Sequence, residues 1–422
     1  MDIITELLKD IPVPRMVRIR QIFDAGALED PVLKLVGELN RPGGMERIKP
    51  GQKVAICVGS RGIANIAAFV RTIVGKVREA GAFPFIVPCM GSHGGATAEG
   101  QKEVLYRLGV TEEAVGAPVR SSMEVVLMGK INDHLPVYCD RLAAEADAII
   151  VVNRVKPHTA FRGPVESGIM KMISIGLGKQ KGAEACHRAG FKHMAENVVN
   201  TARLMLQRLP IVFGIALVEN PYDETCVVEL LPAERIEERE AELLKLARTR
   251  LPQILFDRID VLVIDYIGKN ISGDGMDPNV TGRYPTPYAS GGPEVGKMAV
   301  LALTPQSEGN ANGVGTADFT TRRLLDQMNV EATYANGLTS TVCSPTKIPT
   351  TLESDLHVFK AAIKTCNIMD YNKCRLVRIK DTLHLSEIEI SEPMLEEALI
   401  NKKIEVLTEP YHLNFNDKGN LF

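Results

Sequence analysis

The stretch KVAICVGSRGIANIAAFVRTIVGKVREAGAFPFIVPCMGSHGGATAEGQKEVLYRL, Lys53 to Leu108, decides the fold. Lys53 to Val58 is short, apolar and β-branched, as buried strands are. Gly59-Ser60-Arg61-Gly62 follows as a turn. Ile63 to Ala80 then carries apolar residues at helical spacing. Phe83 to Pro88 reads as a second strand, Met90-Gly91-Ser92-His93-Gly94-Gly95 as a second turn, and Thr97 to Leu108 as a second helix. Strand, helix, strand, helix at this spacing implies a parallel sheet with right-handed crossovers.

Outward from there the pattern continues. Val125 to Leu127 and Leu135 to Tyr138 read as a hairpin, followed by a helix over Arg141 to Ala146. Ala148 to Asn153 is a third buried strand. Beyond it lies KPHTAFRGPVESGIMKMISIGLGKQKGAEACHRAGFKH, Lys156 to His193, with three of the eight histidines and five glycines between Gly163 and Gly182. It reads as a long Gly-punctuated loop at a strand end, where ligands bind in open α/β sheets. Its apolar residues, Ile169 to Leu177, argue against disorder. Met194 to Leu209 reads as a helix and Ile211 to Val218 as a strand. Ala233 to Thr249 reads as a charged, solvated helix that ends the first domain. Strands at Arg258 to Asp265 and Met298 to Leu303, with helices at Thr320 to Met328 and Pro393 to Asn401, rebuild an α/β pattern. The expectation is two α/β domains with mostly parallel sheets and an active-site cleft between them: residues 1–255 carrying the chemistry, and 256–422 closing the cleft.

Composition narrows the class. Hydrophobic content of 45% and charged content of 24% are ordinary for a globular enzyme. A net charge of −3 gives no polyanion-binding surface, so nucleic acid is not an expected partner. The eight cysteines are scattered with no CxxC pair, which fits reduced thiols in a cytoplasmic protein. The first residues lack the basic start and apolar core of a signal peptide, and no apolar run is long enough to span a membrane.

The chemistry-bearing residues fall beyond successive strand ends. Arg61 follows the first strand, His93 the second, and His158 the third; Lys171 and His187 come after. In a parallel sheet those ends share one edge, so the groups can converge. Two histidines facing one substrate suit paired acid/base work. Arginine suits bidentate binding of a carboxylate. His187, as a lone histidine, needs further donors to hold a metal. The run Gly163-Pro164-Val165-Glu166-Ser167-Gly168 offers backbone amides to an anion such as a phosphate.

In these motifs the segment from Val54 to His187 resembles the nickel-dependent lactate racemase family. The resemblance rests on Gly59-Ser60-Arg61, Gly91-Ser92-His93, Ala144-Glu145-Ala146-Asp147-Ala148, KPHTAF with His158, Lys171, the IGLG turn and His187, in that order. It implies a nickel-pincer nucleotide, a pyridinium-3,5-bisthiocarboxylic acid mononucleotide, as cofactor. Lys171 matches the lysine that tethers it, His187 the nickel ligand, and His93 and His158 the alternating acid/base pair. Arg61 matches the residue that engages substrate, and Ser60 and Gly168 fall among the positions around the cofactor. The implied activity is racemisation or epimerisation of a 2-hydroxy acid, in a monomer or small homo-oligomer served by cofactor-building enzymes. The family carries Asp-His-Thr before the arginine; here Val58-Gly59-Ser60 stands there, which points to a 2-hydroxy acid other than lactate. In the second half, Asn270 to Asn279 and Ser307 to Gly313 are polar loops after strands, with Lys269 and Arg283 as cations near the first.

Two other readings use the same residues. One is a cofactor-independent isomerase, dehydratase or Schiff-base lyase acting through Lys171 on a small carboxylic acid. The other is a non-catalytic metabolite sensor, in which His93 and His158 are dispensable for binding.

Overall fold

The first strand, Met16–Gln21 (β1), does not belong with the residues that come directly after it. In the computed structural model, which describes residues 3–132 and 134–422, the chain forms two compact units. One is Asp24–Leu251; the other joins the residues up to Phe23 with Pro252–Phe422. This corrects the expected boundary after residue 255. β1 alternates buried and exposed residues, and its buried face completes a sheet built from the far end of the chain.

The Asp24–Leu251 unit contains β2 (Lys53–Val58), β3 (Phe83–Pro88), β4 (Val125–Ile131), β5 (Leu135–Asp140), β6 (Ala148–Arg154), β7 (Ile211–Glu219) and β8 (Thr225–Pro232). Its five-stranded sheet has the order β3-β2-β6-β7-β8. All neighbours are parallel except the β7–β8 pair. Helices cover both faces, so the strands read as continuous apolar runs. Val54, Ile56 and Val58 of β2 enter one core cluster, while Ala55 and Cys57 enter the other. β4 and β5 form the expected hairpin, with an irregularity between Leu127 and Gly129.

The Ile66–Glu79 helix buries Ile66, Phe69, Val70, Ile73, Val74 and Val77, a stripe at helical period, and has Lys76 and Arg78 in its last turn. It starts three residues after the expected Ile63, because Asn65 takes a left-handed φ of 62°. The Ala98–Arg107 helix begins at Thr97, whose hydroxyl accepts from the Gly100 amide at 3.0 Å.

Two sequence expectations are overturned here. The 156–193 segment is not an open loop: it folds into Ile169–Lys171, a π-helical turn Met172–Gly176, and the Lys179–Arg188 helix. The charged Ile236–Thr249 helix is not a solvated spacer either. It buries Ile236, Glu240, Leu243, Leu244 and Ala247, and its apolar members join the core under β6 and β7.

In the other unit, β9 (Arg258–Ile267), β10 (Glu294–Leu303), β11 (Phe319–Thr321), β12 (Thr350–Leu352), β13 (Leu376–Ile379), β14 (Glu387–Ser391) and β15 (Ile404–Val406) join β1. The sheet order is β12-β11-β10-β9-β13-β14-β1-β15. Its first five strands are parallel, and the rest pair antiparallel. The fold class is therefore α/β with two mostly parallel multi-stranded sheets, as expected. All eight cysteines are unbridged. Among the described residues no helix is long and apolar enough to cross a membrane.

Candidate functional site

β2, β3 and β6 run parallel, so their carboxyl ends share one sheet edge. Arg61 and His93 are exposed in the turns after β2 and β3, and Ser60 is half-buried. The Ser60 hydroxyl hydrogen-bonds to His93 Nδ1, joining the two turns through side chains. Below His93 the turn lies on backbone. A Cβ at Gly94, where φ is +66°, would sit 2.6 Å from the Gln101 nitrogen and the Gly100 carbonyl carbon. The Gln101 amide donates to the carbonyls of Gly91 at 2.8 Å and His93 at 3.3 Å.

After β6, an antiparallel bridge between Lys156 and Ser167 and a 3.0 Å bond from the Asn153 amide to the Gly168 carbonyl set the start of the helical segment. That segment carries Lys171 and then widens. In the π turn the Met172 carbonyl accepts the Leu177 amide at 2.9 Å and the Cys89 thiol at 3.2 Å. Gly176 abuts the end of β3, where a Cβ would lie 2.9 Å from the Cys89 oxygen. Single π turns recur at functional sites because the extra residue re-aims its neighbours. Here the turn ties the Lys171 segment to the strand that presents His93.

His158 is half-buried and packs on Phe161, with ring centroids 4.3 Å apart. Its Nε2 lies 2.8 Å from Lys171 Nζ, and its Nδ1 accepts the Ala160 amide at 3.0 Å. Burial first, then the nearby Lys171, His187, Lys156 and Arg162, hold its pKa well below the usual histidine value. His187, on the Lys179–Arg188 helix, stacks near-parallel on Phe191 at 5.8 Å. Burial, with Lys171 second, lowers its pKa to about 4. The structure thus gathers His158, Lys171 and His187 into one electrostatic neighbourhood, and couples Ser60 to His93 at the adjoining strand end.

Two buried carboxylates frame this neighbourhood. Glu166 accepts from the His158 amide at 2.7 Å, the Gly163 amide at 3.1 Å, Arg162 at 3.3 Å and Arg248 at 2.6 Å. The Gly163–Gly168 run is therefore closed on its own glutamate, which takes the Gly163 amide, one of those expected to face an anion. Gly168 is buried, and a Cβ there would fall 2.4 Å from Glu240. Glu240 accepts the Met170 amide at 2.9 Å at the start of the Lys171 segment; its other oxygen is buried without a hydrogen-bond partner. Burial pushes its pKa up to about 7. Neither glutamate was expected from sequence. Glu240 had a readable signal, because it falls on the apolar stripe of its helix with Ile236, Leu243 and Ala247.

The polar loops of the other unit are internally bonded. Lys269 donates to the Gly273 carbonyl at 2.6 Å, Asn312 contacts Gly273 and Asp274, and Arg283 pairs with Asp318 at 2.8 Å.

Among the described residues no three His, Cys, Asp or Glu side chains form a metal-holding group. A metal at His187 would thus take its remaining donors from a non-protein group. A lysine 2.8 Å from one imidazole, with a second histidine in electrostatic range, fits a group that brings its own metal donors and is fixed by a lysine.

Residues 58–227, the part of the chain that carries these strand ends, match the family model of a domain of unknown function, DUF362. Comparison with curated proteins gives no match. Among solved structures, the chain is similar to the lactate racemase apoprotein from Thermoanaerobacterium thermosaccharolyticum. That likeness covers 92% of this chain and 91% of the other, at 11% sequence identity and a TM-score of 0.46.

Proposed function

We propose that this protein is an isomerase that racemises or epimerises a 2-hydroxy acid with a lysine-tethered nickel-pincer nucleotide. The observation that carries the reading is the Lys171–His158 contact, with Nζ 2.8 Å from Nε2 and His187 in the same electrostatic neighbourhood. It sets a lysine beside a titratable base, as attack of an amine on an acyl or thioacyl carbon requires. Lys171 would hold the group covalently, and His187 would supply the protein's single donor to its nickel. When bound, that group supplies a reversible hydride acceptor for the substrate carbon.

The remaining work falls to this chain's side chains. Arg61 is exposed at the β2 end and suits a substrate carboxylate. His93 has Nδ1 engaged by Ser60, so Nε2 is the nitrogen that exchanges a proton with the substrate hydroxyl. His158 would serve the opposite approach, and burial keeps its imidazole neutral at neutral pH.

The test is mass spectrometry of protein produced together with the cofactor-building enzymes. The expected result is a covalent adduct and bound nickel, both lost in Lys171→Ala. Absence of adduct and of nickel in the unaltered protein overturns the reading. The same amine also favours a second reading, a Schiff-base lyase for a small oxo acid. Borohydride with pyruvate as probe would then fix a stable mass increment on Lys171, and no increment excludes that reading for this probe.

A further inference from the structure

Lys179 opens the Lys179–Arg188 helix and is wholly buried, with a left-handed φ of 53°. An ordinary side chain there is strained, and a buried ammonium is heavily desolvated. Its Nζ lies 2.6 Å from the Pro88 carbonyl at the end of β3, 2.8 Å from Gln101 Oε1, and 3.2 Å from Asp140 Oδ2 at the end of β5. Asp140 and Gln101 are also wholly buried. An apolar side chain of similar length would fill this space without the desolvation.

The geometry beyond Gln101 gives the ammonium a task. A lysine can only donate, so Gln101 must turn its oxygen toward Lys179. Its NH₂ group then faces the other way and donates to the carbonyls of Gly91 and His93. The same turn contacts the π segment, through the Gly91 amide on the Gly176 carbonyl at 3.2 Å. His187 lies on the helix that Lys179 begins.

We propose that Lys179 and Gln101 form a positioning pair that fixes the His93 turn against the helix bearing His187, by locking the orientation of the Gln101 amide. Neither residue touches substrate; both act through His93. The proposal rests on the acid/base reading of His93 for its consequence, not for its geometry.

Gln101→Glu separates positioning from mere packing. The carboxylate keeps an acceptor on Lys179 and strengthens that contact, but it turns an oxygen instead of NH₂ toward the Gly91 and His93 carbonyls. Gln101→Met removes both bonds at similar volume. The readout is the ¹⁵N signature and pH titration of the His93 imidazole, assigned by its loss in His93→Gln. Ser60→Ala supplies the reference for a broken Ser60–His93 bond. In whichever Gln101 variant unfolds cooperatively, we expect the His93 signature to move toward that of Ser60→Ala. The midpoint should shift by at least about half a unit, roughly a threefold change in the protonation equilibrium. A wild-type His93 signature in a folded variant overturns the proposal. So does failure of both variants to fold, which makes the pair a core element. The readout needs no substrate. A shifted His93 in a protein that racemises nothing would sustain the pair while removing the acid/base reading.

Discussion

Lys171 and Lys179 stand eight positions apart in one continuous segment, in different surroundings. Lys179 is ringed by acceptors: a carbonyl, an amide oxygen and a carboxylate. That set stabilises an ammonium and nothing else. Lys171 instead stands beside a titratable base, with its Nζ 2.8 Å from the Nε2 of His158. Their nearby carboxylates differ in having a cation. Asp140 accepts the Ala143 amide at 2.9 Å through one oxygen, and its other lies 3.2 Å from the Lys179 ammonium. Glu240 holds the Met170 amide, and its other oxygen is buried without a hydrogen bond. The comparison teaches that residue type sets a repertoire, while the acceptors and donors in hydrogen-bond reach select from it.

The largest effect should come from stripping the ammonium of its role. Lys179→Met leaves Asp140 buried without its cation, and is expected to lower stability by about 3–5 kcal/mol. Lys179→Met with Asp140→Leu should recover most of that loss. Urea denaturation measures both, and a double variant no more stable than the single one would break the contrast.

The next effect is pH-dependent and has two signs. Glu240 has its pKa raised to about 7 by burial. Its contribution is complete below the ordinary carboxylate range and is lost as pH rises through about 7. Glu240→Gln should therefore remove a stability decline of up to about 3 kcal/mol between pH 5 and pH 8. His187 runs the other way, with its pKa lowered to about 4. Its contribution is present above the ordinary histidine value and is lost as pH falls through about 4. His187→Gln should flatten an acid-side decline of similar size, up to about 3 kcal/mol. Denaturation midpoints at pH 4, 5, 7 and 8 read both, and equal slopes in wild type and variants would remove the assigned groups.

Amine labelling addresses the two lysines directly. Acetic anhydride at neutral pH followed by peptide mapping should modify the half-buried Lys171 faster than the wholly buried Lys179. Comparable rates would erase the distinction. The smallest effect belongs to Ser60→Ala. It removes one hydrogen bond to an exposed residue's ring and should change stability by only about 1 kcal/mol or less, while altering the His93 tautomer seen by NMR.

The parallel sheet was legible because β2, β3 and β6 are buried on both faces and so appear as unbroken apolar runs. His93, His158, Lys171 and His187 were legible because they stand beyond those strand ends. β8 was missed because it is an antiparallel edge strand of mixed burial. The helical 169–188 region was read as a loop because Gly168, Gly176 and Gly178 look like turn residues. They instead serve close approach to Glu240, Cys89 and the Ser174 carbonyl, contacts that only the folded chain creates. The partnerships of Glu166, Gln101 and Lys179 were hidden for the same reason, since a buried polar residue's partner lies far along the chain. The placement of β1 across a domain boundary left no local trace at all.

The π turn Met172–Gly176 holds one residue more than an α-helical turn. Excising a residue there would let the segment relax and rotate its Lys171 side by roughly 100° relative to its His187 side. The length of chain from Lys171 to His187 is therefore an angular setting as much as a spacer. Insertions and deletions inside it should be tolerated far less than exchanges of its side chains.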